Sequence, residues 1–287
     1  MPKKMISALI VVIVVITAVW LFRQQKSETS PTVESAVAQA ADVQQPPASA
    51  TPATSTVSAA GVPGKGQEAI SKAASANQHL FLFFYEKDDQ ATQAARKTFE
   101  NSMGKLADRA MSLALDRTAA SEQDLVAKYG LAAAPMPLIL VVAPNGAITG
   151  GFPASQMTEQ KLQGALASTA MQQCLKALQE RKLVILCAQN SGTKFNSEAM
   201  SGVQAFKNDV RFSRITEIVK VDPADTAEVG FMAQLQVNPK TDQAATVVLA
   251  PPGAIIASFN GATDKDTLFA AVLKGCSSGS CGPNGCN

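Results

Sequence analysis

Residues 142–152 read VAPNGAITGGF and residues 249–259 read LAPPGAIIASF, so the same stretch occurs twice in the chain. At an offset of 107 residues, six of the eleven positions are identical. In each copy an apolar run enters a turn that contains proline and glycine, and a second apolar run leaves it. Such turn residues fix φ or supply positive φ between two strands. The stretch therefore predicts a β-hairpin in each half of the chain.

The duplication extends beyond the hairpins. Upstream, LVAKYGL at residues 125–131 aligns with FMAQLQV at residues 231–237, and strand-like segments end at Asp116 and Asp222. Downstream, each hairpin leads into a segment with helical periodicity. A period near 107 residues is too long for a solenoid repeat but fits a duplicated domain. We therefore predict two copies of one fold.

Length and charge set the outer limits. A chain of 287 residues has room for about two domains. The formal net charge is +2, and charged residues make up 17% of the chain. This composition lacks the basic surface that nucleic-acid binders carry, so no nucleic-acid partner is expected.

The N-terminus contains an uncharged apolar run of eighteen residues, 5–22, with lysines before it and Arg23 after it. That length is sufficient for a helix to span a bilayer. The alternative is a cleaved signal peptide, with small residues at 36–40 as the cleavage site. Those residues lie well beyond the apolar run, whereas cleavage normally follows it closely. We predict that residues 1–23 form an uncleaved, single-pass anchor in the inner membrane.

Residues 24–66 consist mainly of Ala, Pro, Ser, Thr and Gln. Such a segment buries too little apolar surface to offset the entropy lost on ordering. We predict a disordered, partly extended linker that holds the folded part away from the membrane.

The first folded unit is assigned to residues 67–168. Its continuous apolar run HLFLFFY, at 79–85, is typical of a strand that is buried on both faces of a sheet. Helical spacing follows at 90–106, then a short strand at 111–115 and a helix from Ser121, a plausible N-cap. The duplicated hairpin and a last helix from about Thr158 complete the unit.

The second folded unit is assigned to residues 169–275. KLVILC, at 182–187, is the counterpart of HLFLFFY, and a helix, a strand, a helix, the second hairpin and a final helix follow. Residues 160–181 have the spacing of one nearly unbroken helix. Such a helix would close the first unit, open the second and couple them rigidly.

The order helix–strand–helix–strand–helix–hairpin–helix resembles the thioredoxin-like fold. FLFFY followed by a helix is similar to the central strand and active-site helix of that family, and PLILVVAPNG at 137–146 is similar to its loop in which a cis proline precedes the hairpin strand. The resemblance implies two tandem three-layer α/β/α domains and a cis Met136–Pro137 bond. In the second unit the position matching Pro137 falls near Ala244, so a cis proline is not assured there.

The resemblance also places the Cys-x-x-Cys motif of the family, and no cysteine is found there. In the first unit the motif positions are Asp88, Asp89, Gln90 and Ala91; in the second they are near Ser191, Gly192, Thr193 and Lys194. Thiol–disulfide exchange needs a thiolate and a second, resolving thiol. These degenerate positions argue against a redox enzyme. Carboxylates at 88 and 89 suit helix capping, with contacts to a ligand or partner as the alternative.

Two of the five cysteines, Cys174 and Cys187, lie in apolar patterns and are expected to be small buried side chains. His79, the single histidine, begins a strand and has no neighbouring metal ligand in the sequence.

The C-terminal tail, residues 276–287, places Cys276, Cys281 and Cys286 among Gly, Ser, Asn and Pro. This composition forms no core, so the cysteines do not serve packing. Three interpretations remain open: a disulfide or inert tail, a site for a soft metal such as Cu(I) or Zn(II), and a mobile dithiol that reacts with a partner.

The leading functional hypothesis is a protein-binding or scaffold module at the outer face of a bacterial inner membrane, with folded domains in the periplasm and a thiol-rich tail that binds a soft metal. The alternative is a thiol–disulfide oxidoreductase or metal-transfer protein that uses the tail cysteines. An enzyme of that kind needs a cationic or basic group beside its reactive thiol, and Lys274 is the nearest in sequence.

Overall fold

The computed structural model describes residues 64–277. The expectations for the membrane segment, most of the linker, and Cys281 and Cys286 fall outside this range. Among residues 64–277, no helix is long and apolar enough to cross a bilayer. The described part consists of two four-stranded sheets, each with helices packed on both faces.

The first unit follows the expected order of elements. In chain order these are α1 (Lys65–Ser75), β1 (His79–Tyr85), α2 (Gln90–Gly104), β2 (Ala110–Asp116), a 3-10 turn at Ala120–Glu122, α3 (Gln123–Lys128), β3 (Leu138–Val142), β4 (Ile148–Pro153) and α4 (Glu159–Gly164).

The second unit repeats the order. Its elements are α5 (Thr169–Gln179), β5 (Leu183–Ala188), α6 (Asn196–Lys207), β6 (Thr216–Val221), α7 (Val229–Gln234), β7 (Ala245–Ala250), β8 (Ala254–Asn260) and α8 (Lys265–Ser277). The strand orders are β2-β1-β3-β4 and β6-β5-β7-β8. In each sheet the first two strands are parallel and the rest are antiparallel. The predicted mixed sheets and duplicated hairpins are thus confirmed.

The apolar run of β1 is buried on both faces because helices cover both sides of the sheet. Leu80, Leu82 and Phe84 pack beneath α1 and α3, whereas Phe81 and Phe83 face α2 and α4. The ring of Phe83 lies 5.4 Å from that of Phe99 on α2. Burial of each such side chain stabilises the fold by roughly 1.5–3 kcal/mol. β1 contributes side chains to the core on both faces of the sheet and so forms the centre of the unit.

A buried glutamate caps the first helix of each unit from a distant position. Glu122 accepts a hydrogen bond from the Gly66 N–H at 3.2 Å. Glu228 accepts one from the Ala170 N–H at 2.8 Å and another from the Ser168 hydroxyl. Each carboxylate therefore binds the N–H groups that a helix N-terminus leaves unpaired.

The expectation of one helix over residues 160–181 is wrong. α4 ends at Gly164, and α5 begins five residues later at Thr169. Glu228 binds the backbone and side chain at the start of α5 and so creates a new helix N-terminus there. The Thr149 hydroxyl binds the Ala165 carbonyl oxygen at 2.7 Å and draws the intervening chain onto β4.

Two smaller expectations also differ. Ser121 lies in the 3-10 turn and does not cap α3, since its hydroxyl donates to the Glu122 carboxylate. At the other end, the backbone of α8 stays helical to Ser277, so Cys276 belongs to the last turn of that helix. The tail boundary drawn from composition at 276 therefore falls inside α8.

Candidate functional site

The first candidate surface is the end of the first sheet at which β1 meets α2. Asp89 caps α2, because its carboxylate accepts a hydrogen bond from the Thr92 N–H at 2.8 Å. The same bond holds the pKa of the Asp89 carboxyl below its usual range. Asp88 forms an ion pair with Arg96 at 2.9 Å, and the Arg96 guanidinium lies 4.3 Å from the centre of the Tyr85 ring. The Asp89 carboxylate thus stabilises the start of α2, and the Asp88 carboxylate stabilises the loop between β1 and α2.

Arg117 connects two loops at this end of the sheet. Its guanidinium donates to the carbonyl oxygens of Leu131 (3.0 Å) and Ala134 (2.8 Å) and pairs with the Glu86 carboxylate. The Arg117 side chain is only 17% exposed, so these bonds are partly shielded from water. Through them the loop after β1 is joined to the loop that leads into β3.

The loop before β3 contains the proline singled out by the resemblance. The Met136–Pro137 bond is cis, the isomer that the resemblance implies. A second cis bond, Pro251–Pro252, lies in the turn between β7 and β8. At the position before β7 that corresponds to Pro137, the chain has Ala244.

In the second unit the motif position lies slightly later than the sequence suggested. α6 begins at Asn196, so residues 194–197 stand where Asp88–Ala91 stand at the start of α2. Of the four expected residues, Lys194 is the one at this place, while Ser191, Gly192 and Thr193 form the turn before it. Phe195 occupies the cap position at φ 63° and is 44% exposed.

Hydrogen bonds connect the loop before α6, residues 189–195, to the end of β6 and to the segment before β7. Asn190 binds the Asp222 carboxylate at 2.7 Å, and Thr193 binds Asn196 at 2.6 Å. The Lys194 N–H donates to the Asp242 carbonyl and the Ala244 N–H donates to the Lys194 carbonyl, both at 2.9 Å. Lys194 is therefore paired like a strand residue with the segment that leads into β7.

The two cysteines whose side chains the structure describes, Cys174 and Cys187, lie away from these surfaces. Cys174 and Cys187 are 1% and 2% exposed, as expected of small core side chains. Burial raises the pKa of each thiol to about 12, and the nearby Glu228 carboxylate adds to the effect at Cys174. His79 is also buried, and burial lowers its pKa to about 4. Among the described residues, no three His, Cys, Asp or Glu side chains cluster as metal ligands.

A shallow groove of about 680 Å³ runs along α6 towards β6. The residues that line it include Gln189, Asn196 and Gln204, which carry carboxamides, and Lys220, its charged residue, but most of the exposed lining surface is apolar. The carboxamides can donate and accept hydrogen bonds with a ligand.

The buried glutamates and Arg117 were missed in the sequence. Glu122 and Glu228 had a detectable signal: extending the aligned LVAKYGL and FMAQLQV segments three residues upstream brings both glutamates into register. Arg117 has no such signal, because the second unit has Pro223 one residue after Asp222.

No protein-family model matches the chain, and no curated protein matches it. Among solved structures, it is similar to a disulphide isomerase from Xylella fastidiosa Temecula1 at 17% identity and TM-score 0.28, covering 34% of this chain and 82% of that one. It is also similar to the first two thioredoxin domains of Naumovozyma dairenensis Eps1p, at 11% identity and TM-score 0.28, with 74% and 97% covered. A third similar structure is zinc-bound human ERp44, at 10% identity and TM-score 0.31, with 75% and 58% covered.

Similarity at these identities and TM-scores carries no inference about activity or substrate. The fold follows from the strand order, the parallel first pair, the antiparallel hairpin and the helices on both faces. Residues 64–277 thus form two tandem units with the thioredoxin-like fold.

Proposed function

We propose that the chain is a non-catalytic binding protein anchored at a bacterial inner membrane, whose thioredoxin-like units contact partner proteins and whose tail carries its thiol chemistry. The observation that carries this proposal is the composition of the two helix N-termini. The start of α2 uses Asp88 and Asp89 for an ion pair and a cap, and the start of α6 is tied down by Lys194.

The buried thiols support the same conclusion. The attacking species in disulfide exchange is the thiolate. With a pKa of about 12, Cys174 or Cys187 is ionised in roughly one molecule in 10⁵ at pH 7, and neither sulfur is exposed. The core of the two units therefore supplies no usable nucleophile.

A rigid, polar surface favours binding. In the first unit, Arg117 fixes the loops on either side of the sheet end, while the Asp88 side chain remains 53% exposed beside them. Preorganised loops lower the entropy lost when a partner binds. A partner with basic or hydrogen-bond-donating groups fits this surface.

The cysteines of the tail support the metal-binding part of the proposal. Three thiolates within residues 276–286 match the preference of Cu(I) and Zn(II) for sulfur ligands. The backbone of Cys276 lies in the last turn of α8, which fixes where the first of these cysteines leaves the second unit.

Insulin reduction by the full chain tests the absence of exchange activity. We expect turnover no faster than that of the chemical reductant, for the unsubstituted chain and for a variant with Cys276, Cys281 and Cys286 changed to Ser. Turnover that is present in the chain and lost in this variant would overturn the proposal in favour of a tail-based oxidoreductase.

Equilibrium dialysis of the reduced full chain against Cu(I) and Zn(II) tests the metal site. We expect metal bound in proportion to protein, and its loss on Cys281→Ser. Cys187→Ser is the matched control, since it removes a buried cysteine and should leave binding intact. Equal binding by both variants would contradict a tail site.

A further inference from the structure

Strand β4 lies at the edge of the first sheet, and the element beside it belongs to the second unit. α5 buries Ala170, Cys174, Ala177 and Leu178 in the core beneath the second sheet. The same helix also contacts β4 of the first unit. α5 is therefore part of one unit and a neighbour of the other.

The chain entering α5 is attached to β4 at one point. The buried Thr149 hydroxyl donates to the Ala165 carbonyl oxygen at 2.7 Å. Ala165 itself is buried against Gly150, where an added Cβ would lie 3.1 Å from the Ala165 Cβ. The absence of a side chain at Gly150 is what allows this close approach.

The end of α5 is attached to β4 at a second point. The Gln179 carboxamide accepts a hydrogen bond from the Ile148 N–H at 2.9 Å and donates one to the Ile148 carbonyl oxygen at 2.7 Å. These are the two bonds that a neighbouring strand would make to an edge residue. One side chain thus replaces a strand at this position.

Two attachments restrain a rigid element more than one. They are made by two neighbouring residues of β4: Thr149 holds Ala165, four residues before α5 begins, and Ile148 holds Gln179, the last residue of α5. If Gln179 were free, the second unit could pivot about residues 165–168, but a pivot now breaks both bonds to Ile148. We infer that the edge of β4 is an interaction surface for α5, and that Gln179 clamps the two units into one rigid body.

The clamp is specific to this junction. By alignment of the first helices, the position of Gln179 corresponds to Ser75 in α1, which has no carboxamide. The residue of β8 that corresponds to Ile148 is Ile255, which is 40% exposed. Duplication of the unit did not by itself produce this contact.

Distance measurement between spin labels tests the inference in the full chain. Labels are attached at Glu100→Cys and Thr226→Cys, on exposed positions of the two units, after the tail cysteines are changed to Ser. The buried Cys174 and Cys187 should stay unlabelled. We compare the unsubstituted background with Gln179→Met, which keeps chain length and removes both bonds. Gln173→Met, at an exposed position of the same helix, is the matched control.

We expect one narrow distance distribution for the background and for Gln173→Met, and a broad one for Gln179→Met. Amide exchange at Ile148 should become at least about tenfold faster in Gln179→Met, with the exchange of β1 unchanged as a sign of intact folding. A broad distribution in the background, or a narrow one in Gln179→Met, would overturn the inference, whatever the exchange at Ile148.

Discussion

The two units share a framework and differ at the sheet end where their motif would lie. In the first unit, Arg117 links the two loops through a side chain. In the second, Lys194 links the corresponding loops through its backbone. Two positions account for the difference: Arg117 is matched by Pro223, and Pro137, which has no N–H, is matched by Ala244, which donates its N–H to the Lys194 carbonyl. A proline at position 244 could not donate this bond.

The two units are more alike in their buried helix caps than in the loops at the sheet end. Glu122 and Glu228 occupy equivalent places, and both bind the opening helix. Positive φ also recurs at Asn77 and Arg181, at 52° and 61°. These positions are alike in both units because each of them fixes the backbone at one end of the opening helix.

The largest expected effect comes from removing a buried cap. Glu228→Ala should lower the free energy of unfolding of the second unit by about 3 kcal/mol, since it leaves the Ala170 N–H and the Ser168 hydroxyl unpaired. Glu122→Ala should cost the first unit less, about 2 kcal/mol, because the bonds that Glu122 accepts from the Gly66 N–H and the Ser121 hydroxyl are longer, at 3.2 and 3.3 Å. Amide exchange of β5 and β1 measures each unit separately. An equal loss of unfolding free energy in the two variants would contradict the expected difference between the two caps.

The next effect depends on pH and on His79, whose counterpart in β5 is Leu183. Burial first, and the Arg109 charge second, lower the pKa of folded His79 from 6.5 to about 4. The unfolded chain therefore binds the proton first, and stability is lost as pH falls from about 6.5 to about 4.

His79→Leu should remove this loss. The stability difference between variant and unsubstituted chain should grow by about 2 kcal/mol between pH 7.5 and pH 5. Chemical unfolding at the two pH values measures it, and other titrating groups cancel because both proteins contain them. A difference that is the same at both pH values would show that His79 has the same pKa in the folded and the unfolded chain.

A smaller effect concerns the loop between β5 and α6, residues 189–195. Ala244→Pro removes the N–H that binds the Lys194 carbonyl and should cost about 1 kcal/mol. Amide exchange of residues 190–195 should rise several-fold, while exchange of β5 stays unchanged. Gln243→Ala is the control, since it alters the same segment and keeps every backbone N–H. Unchanged exchange in the proline variant would mean that the side-chain bonds of Asn190 and Thr193 hold the loop alone.

The smallest effect is a gain in stability. Gln236 has φ 60°, and the corresponding residue of the first unit is Gly130 at φ 65°. Gln236→Gly should raise the free energy of unfolding by about 0.5–1 kcal/mol, because glycine adopts positive φ without steric cost. Chemical unfolding measures the gain. Gln234→Gly, at the last residue of α7, should instead destabilise.

Much of the fold was accessible from the sequence. The run at 79–85 specified a central strand, since its five successive apolar residues, 80–84, place apolar side chains on both faces of the strand. The repeated hairpin specified the duplication. At the sites, the missing cysteines and the cap at Asp89 were visible from residue identity and local spacing.

The sequence by itself determined the order of elements, because periodicity and turn residues act within a few positions of the chain. Only the tertiary structure decided where the helix between the units breaks, how Lys194 closes its loop, and that Gln179 pairs with Ile148. These contacts join residues that are far apart along the chain, up to 60 positions for the bond between Ser168 and Glu228. A hydrogen bond between distant groups leaves no periodic pattern in either segment, so it becomes visible only when packing brings the two together.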